Sequence, residues 1–406
     1  MRNISLNNSI SFAKACEKII PSGSSTLAKS YHRLCFGYSP FYAKNAKGSH
    51  FEDIDGNTWL DCEMAMGSVI WGHCHEEIDH AMIEQIRLGI HYSIPGILEF
   101  QLAELLLNRY YNYTGAKFFK NGADAVYAAV RTSRYLTGKN MTLACEYHGW
   151  LDWSCFGYYQ RDPRDLGIIQ SVADEHIHCK NDPFQILQNI ELFQKKLACV
   201  VLCPMNYSQS NLMEIVKSCK DNEILIIFDE VSTGMRHSHT DYDEGLLPWP
   251  DFLCLSKGIA NGLPLAVILG KENEIQVMGK LKISNAHAGE NLALAAAIKS
   301  EQLLTQMSIW PSWHSQAMKI MTDIIRKIEK YHLPLKLTGN SGCFQIIYLD
   351  NASENEIFRQ FFMRYLSHQG IFTKGYILFS DAHTHMEIKN VGKCIENCLE
   401  KYAANI

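Results

Sequence analysis

The sequence predicts an α/β fold with a large domain, built on a mostly parallel mixed sheet, and a smaller α+β domain. From about Gly115 onward, short apolar runs alternate with segments of helical periodicity, the pattern of parallel strands joined by helices. After Gly289 the pattern changes to long helical stretches, then short strands and a last helix. We therefore expect an N-terminal segment 1–50 that joins the small domain, a large domain 51–290 and a small domain 291–406.

The elements follow in order along the chain. The first 50 residues are expected to form a helix and a turn-rich loop, and the alternating segment HFEDIDGNTWLDC, centred on the turn Asp55-Gly56, predicts a hairpin. The runs predicted as strands are AKFFK, MTLAC, ACVVLC, EILIIFDE, DFLCLS and LAVILG. Asn121 or Gly122 is expected to be the N-cap of the helix ADAVYAAVRTSRYL.

Composition indicates a globular protein that acts on small molecules. Of 406 residues, 47% are hydrophobic and 20% are charged, and a net charge of −5 gives no attraction for nucleic acid or anionic membranes. No signal-peptide pattern and no membrane-spanning run is found, so a cytoplasmic location is expected. The 14 cysteines contain no CxxC pair and are interpreted as reduced thiols.

Polar side chains follow two apolar runs at the point where each predicted strand ends. Asp229 and Glu230 close the run EILIIF, and Lys257 follows FLCLS. The carboxyl ends of parallel strands meet at one edge of a sheet, where ligands bind, so an acid and an amine are expected in one crevice. Taken singly, each residue is better explained as an ordinary solvated strand end, because charged strand ends are common. A lysine in such a site can attack a carbonyl, and a carboxylate can keep a ring nitrogen protonated.

Two further segments suit a flat, phosphorylated ligand. The helix that begins at Asn121 to Ala123 offers free backbone N–H groups to a phosphate, although a plain helix start explains these residues equally well. Tyr147, after the run MTLAC, places an aromatic side chain at another strand end, where it can stack on a ring. Simple packing is the alternative interpretation of that tyrosine.

Taken in order, the blocks NGADAVYAAVRTSR, YHGW, IFDEVSTGMR and LSKGIANGLP resemble the signatures of the class III pyridoxal-phosphate (PLP) dependent aminotransferases. The chain is similar to the branch that contains glutamate-1-semialdehyde 2,1-aminomutase and relatives in surface-polysaccharide biosynthesis. IIPSGSSTLAKS, FEDIDGNTWLDC and HAGENLALAAA extend the resemblance over most of the chain. It implies the PLP-dependent transferase fold type I.

The resemblance implies a role for each matching residue. Lys257 is implied to be the Schiff-base lysine, Asp229 the partner of the pyridine nitrogen, and Tyr147 the aromatic that stacks on the ring. The remaining cofactor-binding positions are implied to be Asn121, Gly122, Ala123, His148, Asn206, Ala286 and His287. The resemblance further implies a homodimer, in which a loop of the second subunit matching Asn285 to Gly289 completes the phosphate site. Lys29 and Glu230 are candidates for substrate binding.

Several positions depart from the family pattern. Ala123 stands where a hydroxyl residue usually helps to hold the phosphate, and Ala286-His287 stands where a threonine of the second subunit is usual. Cys203 occupies the place of a glutamate that precedes proline. The aminomutase's substrate-carboxylate arginine has Lys29 as its nearest equivalent, which argues against glutamate-1-semialdehyde as the substrate.

The resemblance implies a transaminase that moves an amino group from an amino acid, glutamate, to a carbonyl acceptor, with a sugar-derived aldehyde or ketone favoured. The runner-up is an aminomutase, which keeps both carbons on one bound molecule, and a further alternative is a PLP-binding homologue without turnover. A metal-dependent hydrolase is the remaining hypothesis, and we expect no catalytic metal. It would use His73, His75 and His80, or His237, His239, Asp241 and Asp243. No GxGxxG or GxxxxGK[ST] loop is present to bind a dinucleotide or the phosphates of an NTP.

Overall fold

A computed structural model of the chain describes residues 4–155, 163–237, 240–306, 310–349 and 352–405. It divides into two compact units, one formed by Met1–Glu76 with Met307–Ile406 and the other by Glu77–Gln306. Both units are therefore shifted from the predicted boundaries after residues 50 and 290. The shift follows from the strand pairing of the first unit and from a long helix that stays with the second.

Within the described residues, the helices and strands alternate much as predicted. The helices are α1 (Asn7–Glu17), α2 (Glu76–Leu88), α3 (Ile97–Arg109), α4 (Gly122–Thr137), α5 (Gln170–Ala173), α6 (Pro183–Phe193), α7 (Gln209–Asp221), α8 (Thr240–Asp243), α9 (Glu272–Lys280), α10 (Asn291–Gln306), α11 (Trp310–Lys330), α12 (Ala352–Ser367) and α13 (His385–Ala403). The strands are β1 (Ala43–Lys47), β2 (His50–Asp53), β3 (Thr58–Asp61), β4 (Gly115–Phe119), β5 (Met141–Ala144), β6 (His176–His178), β7 (Leu197–Leu202), β8 (Leu225–Glu230), β9 (Phe252–Leu255), β10 (Ala266–Gly270), β11 (Leu335–Asn340), β12 (Cys343–Tyr348), β13 (Ile371–Phe372) and β14 (Tyr376–Ile377). In the described part of the chain no helix is both long and apolar enough to cross a membrane.

The second unit is built on a seven-stranded sheet in the order β4-β10-β9-β8-β7-β5-β6. Strands β5 to β9 are parallel, whereas β10 is antiparallel to both of its neighbours. All residues of β7, β9 and β10 are buried, as expected for apolar runs covered on both faces. The predicted mostly parallel α/β sheet is therefore confirmed. The short strand β6 was not among the predicted strands, because three residues give too little periodicity to detect.

Helix α4 covers the centre of this sheet. Its buried positions are mostly small residues, among them Ala125, Ala128 and Ala129, which let the helix backbone come close to the strands. The helix ends at Gly138, whose φ of +66° is the left-handed conformation that favours glycine at a helix C-terminus. The start of α4 is thereby held beside the strand ends.

The first unit combines the two ends of the chain. The turn at Asp55-Gly56 joins β2 and β3 in the predicted antiparallel hairpin, and Asp53 Oδ1 accepts the N–H groups of Asp55 and Asn57 at 2.9 and 2.8 Å. Strand β13 then pairs with β3 in parallel, opposing Ile371 to Leu60, so residues 51–61 belong with the C-terminal part of the chain. A second sheet, in the order β11-β12-β14, lies in the same unit, and the buried apolar faces of α11, α12 and α13 share its core.

Candidate active site

The carboxyl edge of the sheet in the second unit collects the predicted polar side chains. Asp229 lies at the end of β8, directly beside Cys254 of the neighbouring β9, and Lys257 follows β9. Strand β4 runs in the same direction as β9, because both are antiparallel to β10, so the start of α4 reaches the same edge. Tyr147 and His148 arrive there from the end of β5. The expected crevice is thus assembled from four strand ends.

Lys257 is the first residue of a short 3-10 helix, and its φ is +48°. A non-glycine residue in this left-handed region costs on the order of 1–3 kcal/mol, a strain that is often found at functional sites. The amine Nζ donates a hydrogen bond to Ser232 Oγ. Ser232 was not among the predicted site residues; its position three residues after Asp229, at the same strand end, was the available signal.

The carboxylate of Asp229 is held by two donors. His148 Nδ1 donates to Oδ2 over 2.6 Å, and the backbone N–H of Val231 donates to Oδ1 over 3.0 Å. His148 is 3% exposed, and Trp153 stacks beside its ring with an interplanar angle of 22°. The sequence placed His148 near the cofactor, but its direct bond to Asp229 becomes visible only in the fold.

The N-terminus of α4 is packed tightly and left uncapped. Asn121 has the extended conformation of an N-cap residue, but its side chain accepts no hydrogen bond from the backbone N–H groups of the helix. Its side-chain amide donates to Asp124 Oδ2 over 3.2 Å. A Cβ on Gly122 would lie 2.5 Å from Val231 Cγ1, so only glycine fits there. The backbone N–H groups at the start of α4 can therefore meet an anion, while Ala123 supplies no hydroxyl to assist them.

A group that the sequence did not reveal lies next to Tyr147. We name Glu146, Asn181, Asn206 and Tyr207 the amide–carboxylate cluster. Both amides donate to Glu146 Oε1, and Tyr207 OH donates to Asn181 Oδ1 over 2.8 Å. Burial raises the pKa of Glu146. The resemblance implied that Asn206 binds the cofactor, but its side-chain amide donates to Glu146.

Cys203 follows β7, the strand that lies between β5 and β8 in the sheet. Its thiol is 3.7 Å from Thr233 Oγ1. Burial, followed by the negative charge of Glu146, raises the pKa of the thiol well above its usual value. Such a thiol stays protonated and neutral. Cys203 therefore does not supply the negative charge of the glutamate that the family has at this position.

Glu230 is not brought to the site. Side chains alternate along a strand, so Glu230 leaves β8 on the face opposite to Asp229. Its carboxylate is 1% exposed and accepts hydrogen bonds from His237 Nε2 and Tyr242 OH. The structure therefore corrects the suggestion that Glu230 binds substrate, because its carboxylate is already occupied in the interior. Arg236, a charged residue six positions after Glu230, is also buried, at 1% exposure, and does not face solvent.

The loop before α10 carries Ala286 and His287, and both residues are exposed. The loop is tied to the end of β4, because Lys120 Nζ lies 2.7 Å from Glu290 Oε2. Lys29, the other substrate-binding candidate, is an exposed residue of the first unit, at the end of the 3-10 helix Leu27–Lys29.

Three of the histidines considered for a metal site, His73, His80 and His237, have carboxylate partners. His73 bonds Asp61 at 3.0 Å, and His80 pairs with Glu84 at 3.3 Å on the surface of α2. His237 bonds Glu230 and Asp241, whereas His239 lies outside the described residues. Among the residues placed by the structure, no group of three or more His, Cys, Asp or Glu side chains could hold a metal ion.

Comparison with known proteins places these features in a family. Residues 37–376 match the sequence model of the class-III aminotransferases. The chain is 25% identical over 423 aligned residues to a glutamate-1-semialdehyde 2,1-aminomutase of Methanopyrus kandleri, with 97% of each chain covered. It is 26% identical over 347 residues to a 3-aminobutyryl-CoA aminotransferase of Cloacimonas acidaminovorans, covering 83% of this chain and 82% of the relative. Among solved structures, a transaminase with PLP bound superposes with a TM-score of 0.86 over 99% of both chains, at 20% identity.

Proposed function

Because the chain belongs to the class III aminotransferases, a family of PLP-dependent enzymes, we propose that it moves an amino group from glutamate to a carbonyl acceptor. The acceptor we favour is a sugar-derived aldehyde or ketone used in polysaccharide biosynthesis. The observation that carries the proposal is the meeting of Lys257, the Asp229–His148 pair and the uncapped start of α4 at one sheet edge.

The residues at this edge fit PLP in charge and in shape. The amine of Lys257 would hold the cofactor, and the carboxylate of Asp229 would pair with its ring nitrogen. The free N–H groups at the start of α4 suit its phosphate, and Tyr147, 62% exposed, offers an aromatic face. When bound, PLP supplies a protonated pyridine ring that withdraws electrons from the carbon next to the substrate nitrogen.

The chain's own residues hold and move the protons. Asp229, fixed by His148 Nδ1, would favour a proton at the ring nitrogen, because a buried carboxylate favours a positive charge beside it. Lys257 Nζ would take the proton from the substrate carbon next to the nitrogen and would deliver it to the cofactor side of that nitrogen, so that the amino group can leave the donor. Fixing these groups in one crevice makes proton transfer effectively intramolecular, an advantage that can reach roughly 7–11 kcal/mol.

The experiment that tests this proposal follows the colour of the protein after reconstitution with PLP. Glutamate added alone should replace the visible absorbance with that of the aminated cofactor, and a later addition of a carbonyl acceptor should restore it. Protein that binds PLP but is left unchanged by glutamate would exclude glutamate as the donor.

Two other functions have specific support. The similarity to glutamate-1-semialdehyde 2,1-aminomutase supports an aminomutase, which would convert its substrate without any external amino donor. The departures at Ala123, Cys203 and Ala286 support a homologue that binds PLP without turnover. Dependence of product formation on added glutamate excludes the first alternative, and any amino transfer excludes the second.

We also propose a homodimer with shared active sites. An exposed apolar surface runs through the end of α2 and the start of α3; we name it the apolar patch, and it comprises Ile83, Ile86, Leu88, Ile90, Tyr92, Ile94, Ile97 and Phe100. Asn291 N–H donates to Ile90 O over 2.8 Å, which ties this surface to the loop that carries Ala286 and His287. A contiguous apolar surface of this kind is typical of a protein interface. A second copy on the apolar patch would thus lie next to the loop that the family uses across subunits.

A cytoplasmic location completes the proposal. All 14 cysteines are free thiols, and nine of them are buried. Cysteines that are held reduced in a core are typical of proteins from a reducing compartment. Imaging of a fluorescently tagged copy of the chain inside cells would test the location directly.

A further inference from the structure

The amide–carboxylate cluster is built by three separate segments at the catalytic edge. Glu146 follows β5, Asn181 follows β6, and Asn206 and Tyr207 follow β7. The two amides fix one carboxylate oxygen, and Tyr207 fixes Asn181 in turn. The position of Glu146 is therefore set before any ligand arrives.

The cluster keeps acceptors open. Both amide bonds go to Oε1 of Glu146, and among the described residues none donates to Oε2 or to the amide oxygen of Asn206. In the same part of the chain no lysine, arginine or histidine forms an ion pair with Glu146. Glu146 is half-buried and Asn206 is exposed, so a ligand can reach both. Burial raises the pKa of Glu146, and the hydrogen bond from Asn181 and the charge of His148 do not reverse this.

Two adjacent acceptors without a cation select the chemistry of a ligand. A carboxylate at this place would meet Glu146 as a like charge, which costs binding energy. A pair of hydroxyl groups supplies two O–H donors, one for the carboxylate of Glu146 and one for the amide oxygen of Asn206. The cluster is thus suited to a hydroxylated ligand and unsuited to a dicarboxylic one.

The cluster lies at a distance from the reacting amine. Strands β8 and β7 separate β9, which leads to Lys257, from β5, which leads to Glu146. Three strand spacings amount to about 14 Å between the backbones, and the two side chains shorten the gap. A ligand that reacts at Lys257 and also reaches Glu146 must therefore be extended, with its hydroxyl groups far from its carbonyl.

We propose that Glu146 and Asn206 form a subsite that accepts hydrogen bonds from hydroxyl groups at the distal end of the amino acceptor. The inference rests on the proposed function and narrows its substrate class: a hydroxylated aldehyde or ketone is accepted, and one that ends in a carboxylate is rejected. Glu146 thereby provides, from β5, an anionic group at an edge where Cys203 has replaced the family's glutamate.

The test compares three matched acceptors on the glutamate-aminated enzyme: 6-hydroxyhexanal, hexanal and 6-oxohexanoate. In the unmodified enzyme, kcat/KM should be highest for the hydroxylated aldehyde and lowest for the carboxylate. Glu146→Leu should reduce the preference for 6-hydroxyhexanal over hexanal by roughly ten- to a hundredfold, the usual range for a hydrogen bond to a charged group. Glu146→Gln keeps an oxygen acceptor but removes the charge, so it should keep that preference and gain activity on 6-oxohexanoate.

Asn206→Leu tests the second acceptor without altering the charge, and Glu191→Gln, an exposed carboxylate on α6, is the control expected to change nothing. Binding of 1,6-hexanediol and of 1-hexanol to the PLP-loaded enzyme, followed by NMR, gives a readout that needs no turnover. The diol should bind more tightly than the alcohol only while Glu146 is present. An unchanged preference in both Glu146→Leu and Asn206→Leu, or equal binding of diol and alcohol to the unmodified enzyme, overturns the subsite. Failure of glutamate to aminate the cofactor overturns the proposed function alone, because diol binding still decides the subsite.

Discussion

His148 Nδ1 lies 2.6 Å from Asp229 Oδ2, and the two side chains are 1% and 10% exposed. This bond joins the ends of β5 and β8, and Val231 N–H supplies the other donor to the carboxylate. The orientation of the acid that would pair with the cofactor thus depends on a histidine 81 residues away in the chain.

His148→Leu should weaken PLP binding and slow the glutamate half-reaction, each by roughly ten- to a hundredfold, because it removes a hydrogen bond to a charged group. Titration of the protein with PLP and stopped-flow absorbance measure the two effects. His80→Leu removes a surface histidine and is the matched control. Unaltered PLP affinity in His148→Leu would show that Val231 alone orients Asp229.

Lys257→Ala should abolish covalent fixation of PLP by borohydride, because Lys120, the lysine at the end of β4, is paired with Glu290. Mass spectrometry of the reduced protein measures it, with Lys280→Ala on α9 as control. Retained labelling of Lys257→Ala would refute the assignment.

Since Lys257 has a φ of +48°, Lys257→Gly should be more stable than Lys257→Ala by about 1 kcal/mol in urea unfolding.

Gly149→Ala should impair PLP binding, whereas Gly138→Ala should not. Both glycines have positive φ, +110° and +66°, so alanine strains the backbone at both positions, and more at Gly149, because +110° lies outside the left-handed region that alanine can enter. A Cβ on Gly149 would in addition lie 2.5 Å from Ala123 Cβ, while at Gly138 nothing lies within 4 Å. Equilibrium dialysis of PLP against both variants makes the comparison. Equal losses of affinity would mean that the contact with Ala123 does not shape the phosphate site.

Stability should fall with rising pH through the titration of His237. Burial by itself lowers the pKa of His237, but the carboxylates of Glu230 and Asp241 reverse this and raise it to about 10, from an ordinary value of 6.5. The folded pKa is the higher one, so the stabilisation is complete below pH 6.5 and is lost as the pH rises toward 10. Urea unfolding between these limits should show a steeper decline for the unmodified protein than for His237→Gln. Parallel curves for the two proteins would contradict the prediction.

Ile94→Glu combined with Ile97→Glu should convert a dimer to monomers, because it places two charges in the apolar patch, where these side chains are 76% and 74% exposed. Sedimentation velocity measures the change. Leu192→Glu, at a 70% exposed apolar position on α6, should leave the dimer intact. A single monomeric species for the unmodified protein would refute the shared active site.

Most of the fold, and the positions of the candidate site residues at strand ends, could be predicted from local pattern. Each apolar run of four to six residues became a strand of the second unit, because such runs are buried on both faces of a parallel sheet. The turn at Asp55-Gly56 and the helix start at Asn121 were equally local. Boundaries could not be read this way: β13 pairs with β3 across about three hundred residues, and nothing in either segment specifies its partner.

The sequence by itself determined which residues stand at strand ends, since strand ends follow from hydropathy and turn residues near in the chain. Local hydropathy could not distinguish Asp229, which faces the site, from Glu230, which is buried with His237. The tertiary structure also decided that His148 holds Asp229, that Ser232 meets Lys257, and that two amides fix Glu146. These contacts depend on the order and register of strands, which arise from packing over the whole sheet and leave no local pattern in the chain.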